Sequence, residues 1–185
     1  MTMMIAGLVL FLGLHLIPTV PAFRGTLIAK LGPNAYRALF ALGSALGLVL
    51  IVAGYWHRPP RVPLFEPYQA ARTVAPLLVP LAFVLLASAN MKTQIRKTVQ
   101  HPMLLGLLLW SGVHLFANGD LAGTILFGSF FAYSIVALVS AIQRHAVKPF
   151  EPSWKFDAIA VSAGVAAAYL TLRLHPALFG TGPVA

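Results

Sequence analysis

The chain contains no cysteine and only four acidic residues among its 185 positions. Without thiols there is no disulfide, no thiolate nucleophile and no thiolate metal ligand. The four acids, Glu66, Asp120, Glu151 and Asp157, fall at the ends of apolar stretches or between them. No pair of carboxylates sits in an apolar interior, which argues against glycosidase-like or di-metal carboxylate chemistry. A hydroxyl nucleophile with a histidine base and a buried acid is not visible either. Charged residues of both signs make up 9% of the chain, too few to cover a soluble domain of this length.

What is abundant is apolar. Hydrophobic residues make up 59% of the chain, and the mean hydropathy is +0.84. The apolar residues come in long runs, at approximately 3–20, 35–56, 72–90, 102–118, 120–142 and 156–174. Each run is close to the roughly 17–25 residues that cross the hydrocarbon as a helix. The reading is an all-α polytopic membrane bundle of about six transmembrane helices, in one compact domain. The start, MTMMIAGLVL, has no basic residue before its apolar run, so the first run is expected to be a retained span rather than a cleaved signal.

The net charge of +9 would suggest nucleic acid on a soluble protein. Here the basic residues lie between apolar runs, which fits the positive-inside rule and anionic lipid headgroups instead. Arg24, Lys30, Arg37, Lys92, Arg96, Lys97, Arg144, Lys148 and Lys155 share one side in this scheme. Arg58, Arg61, Arg72 and Arg173 lie on the other. The richer side is expected to be cytoplasmic, with both termini outside, in the periplasm if the membrane is a bacterial inner membrane.

Local signals place turns. The segment HRPPRVPLFEPYQAAR has prolines at 59, 60, 63 and 67, excludes regular helix, and is expected to lie extended at the outer surface. In ANGD, Asn118 or Gly119 can take the left-handed conformation that ends one helix, and Asp120 can cap the next. Gly43-x-x-x-Gly47 and the small residues of SAGVAAAY mark close helix approaches.

Six histidines remain to be placed. His57 and His145 sit beside arginines at span ends, and His175 precedes Pro176 after the last span, all consistent with interfacial side chains. His101 with Pro102 makes a natural helix start. His15 and His114 lie within spans, where an ionisable group is costly and marks function unless neighbouring helices satisfy it. Pro18 follows His15 by three residues and is expected to bend the helix there. Trp110, His114 and Asn118 recur every four residues and share one face, with Ser111 beside them. Two neutral imidazoles suit haem iron, copper or zinc. A closed zinc site needs more ligands, whereas bis-histidine haem b needs two. A proton relay is the runner-up, without a buried acid to complete it.

The stretch HPMLLGLLLWSGVHLFANGD, the Phe127-Gly128 pair that follows, and LGPNAYRALFALGS at 31–44 resemble the NnrU family of bacterial membrane proteins, associated with denitrification and nitric oxide metabolism. The resemblance extends to their plant relatives, the 15-cis-zeta-carotene isomerases. It implies a single transmembrane domain over 1–185 and a haem b site, with His15 and His114 as the metal ligands. A cysteine of the plant enzymes is replaced here by Ser111, so isomerase activity does not follow from the resemblance. In this reading Trp110 packs near the porphyrin, and Ser111 or Asn118 tunes a ligand by hydrogen bonding. Arg37 either meets a haem propionate or snorkels to headgroups.

The expected role is redox, sensing or maturation in nitric oxide or nitrite metabolism, with a redox partner and membrane lipid as neighbours and no nucleic acid. Two rivals stand beside it: haem-dependent cis-trans isomerisation of a carotenoid-like polyene substrate, and a cofactor-free transporter or interaction subunit. The proposed pair carries a geometric demand. In this topology His15 lies roughly 18 Å in from the outer side and His114 about 6 Å from its outer turn, so helix tilt or a different end to the first span must absorb the difference.

Overall fold

A computed structural model describes residues 1–58, 60–147 and 149–179. Pro59, one of the four loop prolines, and Lys148, one of the basic residues assigned to the inner side, lie outside the described residues. The elements are α1 (Thr2–Leu16), a 3-10 turn (Ile17–Thr19), α2 (Pro21–Leu31), α3 (Pro33–Trp56), α4 (Gln69–Ser88), α5 (Gln94–Val99), α6 (Pro102–Asn118), α7 (Leu121–Gln143) and α8 (Trp154–Phe179). No strand occurs among the described residues, only an isolated bridge between Pro63 and Asp120. Five helical stretches are long and apolar enough to cross a bilayer, and α6 is a sixth, shorter apolar helix. Their outer faces carry side chains such as Val9, Leu42 and Leu77, each more than two-thirds exposed, which hydrocarbon solvates and water does not. The protein is an integral membrane protein of about six spans.

Proline sets the helix starts. Pro21, Pro33 and Pro102 each occupy the first turn, where a missing N–H costs nothing because that donor has no intrahelical partner. Pro18 acts more strongly than a bend: α1 ends at Leu16, and the chain passes through the 3-10 turn into α2. That places His15 in the last turn of α1. Two prolines also lie inside α4, Pro76 and Pro80, each removing one rung of the helical ladder. The short helices α2 and α5 are additions to the six expected spans, too short for their sequence patterns to stand out.

The chain divides into two compact units, Met1–Val62 and Pro63–Ala185. In the first, α1 and α3 pack as an antiparallel pair with backbones nearly touching. A Cβ built on Gly7 would fall 2.7 Å from the carbonyl oxygen of Gly47, so the expected close approach at Gly43 and Gly47 is present. Met4, fully buried, packs on Gly54 at the far end of the pair.

In the second unit α4 is central, with α6 and α8 against it and α7 against α6. Gly106 packs on Ala82 and Leu85, and Gly164, from the small-residue stretch of α8, packs on Val84. The α6–α7 turn forms as its residues imply. Gly119 takes φ +72°, and the Asp120 carboxylate accepts the Gly123 N–H at 2.8 Å. The proline-rich segment lies across this turn. Leu64 and Phe65 donate their N–H groups to Gly119 O at 2.8 and 3.2 Å, and Tyr68 N–H donates to Phe116 O at 3.0 Å. These bonds satisfy carbonyls that the end of α6 would otherwise leave without a donor.

A second long-range clasp holds the other end of this unit. Asp157, in the first turn of α8 and only 7% exposed, accepts the N–H groups of Gln94 at 2.8 Å and Ile95 at 3.0 Å. Thr93 accepts the N–H of Arg96 at 2.9 Å. Together they cap α5, a helix of six residues that has little stability of its own.

Candidate functional site

His114 and its neighbours form an aromatic cluster between α6 and α7. The Trp110 and His114 ring centroids are 5.1 Å apart, and Phe127 sits 4.8 Å from His114 and 5.2 Å from Trp110. Phe130 meets Trp110 edge to face at 5.9 Å. His114 Nδ1 lies 2.8 Å from the carbonyl oxygen of Trp110. A carbonyl only accepts, so Nδ1 carries the proton and the lone pair is on Nε2. One turn further, Asn118 Nδ2 donates to the carbonyl of His114 at 2.6 Å. The expected Trp110–His114–Asn118 stripe is therefore linked through its own backbone. Ser111 is completely buried, and its hydroxyl donates to Leu107 O at 2.6 Å. Ser111 and Asn118 thus hydrogen-bond to backbone carbonyls of α6.

His15, in the other unit, repeats the arrangement. Its Nδ1 lies 2.7 Å from Phe11 O, and its ring stacks on Phe11 at 4.1 Å. Phe40 of α3 approaches the imidazole at 5.0 Å, and Tyr36 lies 6.2 Å from Phe40. Each span histidine therefore follows an aromatic residue by four positions and donates Nδ1–H to that residue's carbonyl. This is the tautomer a metal-ligating imidazole adopts, with the second nitrogen held by a backbone acceptor. The donor chemistry fits haem iron. Among the described residues no group of three or more histidine, cysteine or acidic side chains converges, so a closed zinc site has no basis there.

The remaining histidines are elsewhere. His101 is the residue before α6, and its carbonyl accepts the N–H of Leu105. Burial holds its pKa below the usual imidazole value, and the positive charge of Arg144 adds to the effect. His175 packs on Phe179 near the end of α8. Arg37 is exposed, whereas Arg24 stands 5.9 Å over the ring of Tyr36.

Phe11, Phe40, Phe127 and Phe130 did not stand out in the sequence as neighbours of the histidines. Phe11 carried a usable signal, since it precedes His15 by the same four residues that separate Trp110 from His114. An open groove of about 540 Å³ runs along α4 and α6, lined by apolar residues including Val74, Leu78, Leu85, Leu105, Leu109 and Phe131. Leu105 and Phe116 face it, and they lie on the side of α6 roughly opposite His114.

Neither the curated proteins nor the solved structures include one that matches this chain. The family model described as NnrU protein matches residues 3–183, nearly the whole length, and the chain belongs to the NnrU family.

Proposed function

We propose that this membrane protein binds haem b through His15 and His114 and supports nitric oxide or nitrite metabolism by a redox, sensing or maturation role. The observation that carries the reading is the matched state of the two imidazoles. Each lies in an apolar helix, rests on an aromatic ring and keeps its Nδ1–H on its own backbone. Those bonds fix tautomer and ring orientation before any ligand arrives. Trp110 and Phe127 beside His114, with Phe130 against Trp110, and Phe11 and Phe40 beside His15, supply apolar rings around each imidazole that exclude water from a bound porphyrin. A haem so held supplies one-electron chemistry or a site for a diatomic gas. The part played in nitric oxide or nitrite metabolism rests on the family resemblance.

A visible spectrum of gently solubilised protein tests the reading. Low-spin haem bands are expected in the wild type and are lost in His15→Ala and in His114→Ala. Bands retained in both variants would remove the pair. No Soret band in haem-supplied wild type would favour a cofactor-free transporter or interaction subunit.

The apolar groove along α4 and α6 favours a second reading, haem-dependent isomerisation of a carotenoid-like polyene. An apolar groove along two apolar helices suits such a substrate. Its lining on the face of α6 away from His114 counts against direct contact with a metal there. Incubation of haem-loaded protein with cis-carotenoids in both redox states decides it, and an unchanged isomer ratio would set it aside.

A further inference from the structure

Three buried side-chain polar atoms lack a hydrogen-bond partner among the described residues: Tyr36 Oη, Ser44 Oγ and Thr124 Oγ1. Two of them belong to the first unit and lie on one stripe of α3. Tyr36, Phe40 and Ser44 recur every four residues, so they share a helix face. Phe40, the middle member, is the α3 ring that touches His15. The two unpartnered hydroxyls therefore bracket the position where α3 meets that imidazole. Buried hydroxyls are ordinarily bonded, and the Tyr36 exception, one turn before the ring that touches His15, points to a polar ligand on that side of Phe40, with Ser44 a turn beyond it as the comparison.

The charge around Tyr36 narrows the chemistry. Tyr36 is 8% exposed and lies in the first turn of α3, where the helix dipole favours an anion. The Arg24 guanidinium stands 5.9 Å from its ring centroid. No acidic residue precedes Glu66 in the chain, so nothing of the first unit's own sequence neutralises this corner. A phenol with an unused O–H, an arginine and a helix start together favour a carboxylate.

We propose that Tyr36 is a carboxylate-binding residue, its phenol donating to a propionate of the haem that His15 ligates, with Arg24 supplying the balancing charge. The proposal rests on the haem reading above and extends it to the residues that orient the macrocycle. It replaces Arg37, the sequence-based candidate for the propionate, with Arg24.

The experiment compares haem b with its dimethyl ester, which keeps the iron and loses both carboxylate charges. Haem-free protein in maltoside micelles, which carry no phosphate headgroup, is titrated with each pigment and followed at the Soret band. Wild-type protein is expected to hold haem b about tenfold more tightly than the ester, the range of one charge-assisted hydrogen bond. Tyr36→Phe and Arg24→Gln should each lose most of that preference while keeping low-spin bands. Ser44→Ala, on the far side of Phe40, should keep the preference. A wild type that does not distinguish the pigments, or a preference unchanged in Tyr36→Phe, overturns the proposal and leaves ligation standing. A loss in Ser44→Ala equal to that in Tyr36→Phe also overturns it. Absence of a Soret band with either pigment overturns the haem reading itself.

Discussion

The Nδ1–H of His114 donates to the carbonyl oxygen of Trp110 at 2.8 Å, so the tautomer of the imidazole is set by backbone and not by the indole. The two residues can therefore be separated experimentally. Trp110→Leu keeps the carbonyl and the tautomer, and removes the ring that meets His114 at 5.1 Å, Phe127 at 5.2 Å and Phe130 at 5.9 Å. Low-spin haem bands are expected to persist in Trp110→Leu and to vanish in His114→Gly. Added imidazole should restore them in His114→Gly. Restoration read from the visible spectrum checks the assignment.

Gly119 should not tolerate a side chain. Its φ of +72° strains any residue with a Cβ, by about 1–2 kcal/mol, and that Cβ would meet Phe65 O. Gly119→Ala is expected to lower the melting temperature and to expose the segment around Phe65 to protease. Gly13→Ala is the contrast, since Gly13 is helical with open space around it. That change should be neutral or stabilising by up to about 1 kcal/mol. Thermal unfolding in one detergent compares the two.

Asp157 holds a helix that is distant in sequence. Asp157→Ala leaves two N–H groups of α5 without an acceptor and should cost about 1–3 kcal/mol. Asp157→Asn keeps one acceptor oxygen and should cost less. Hydrogen exchange at Gln94 and Ile95 reports the loss directly.

Acid should loosen the start of α6. The pKa of His101 in the folded chain lies below its unfolded value, so the unfolded chain binds more protons between the two. Stability from this residue is complete above the ordinary imidazole range and falls as pH drops through it. A melting series from pH 7.5 to about pH 5 should slope downward, and His101→Gln should flatten that slope. An identical slope in the variant would assign the effect elsewhere.

A chain without cysteine is ready for orientation mapping. Glu66→Cys is expected to react with a membrane-impermeant maleimide in intact cells. Thr26→Cys should react only after permeabilisation, because Arg24 and Lys30 put α2 on the side expected to be cytoplasmic. The reverse pattern would invert the topology drawn from charge.

Much of the fold was readable locally. Apolar length marked the spans, Pro102 marked the start of α6, and Asn118 to Asp120 marked the tight turn, whereas the starts at Pro21 and Pro33 were seen only in the structure. Pro18 was readable as a disturbance, but whether it bends or ends a helix depends on what packs beyond it. The site was half readable. His15 and His114 stood out because a polar ring in an apolar run is costly. Their phenylalanine neighbours did not, because phenylalanine is common in any span.

Sequence alone determined that this chain belongs in a bilayer, where its six long apolar runs fall, and which two imidazoles lie within them. Those features depend on composition and on contacts within one or two turns. Tertiary structure decided that Asp157 caps α5, that the proline-rich segment closes over Gly119, and that Phe40 brings Tyr36 and Ser44 to the His15 side of α3. Those relationships join residues far apart along the chain. Which helix faces meet is settled by packing between helices, and no local pattern records that choice.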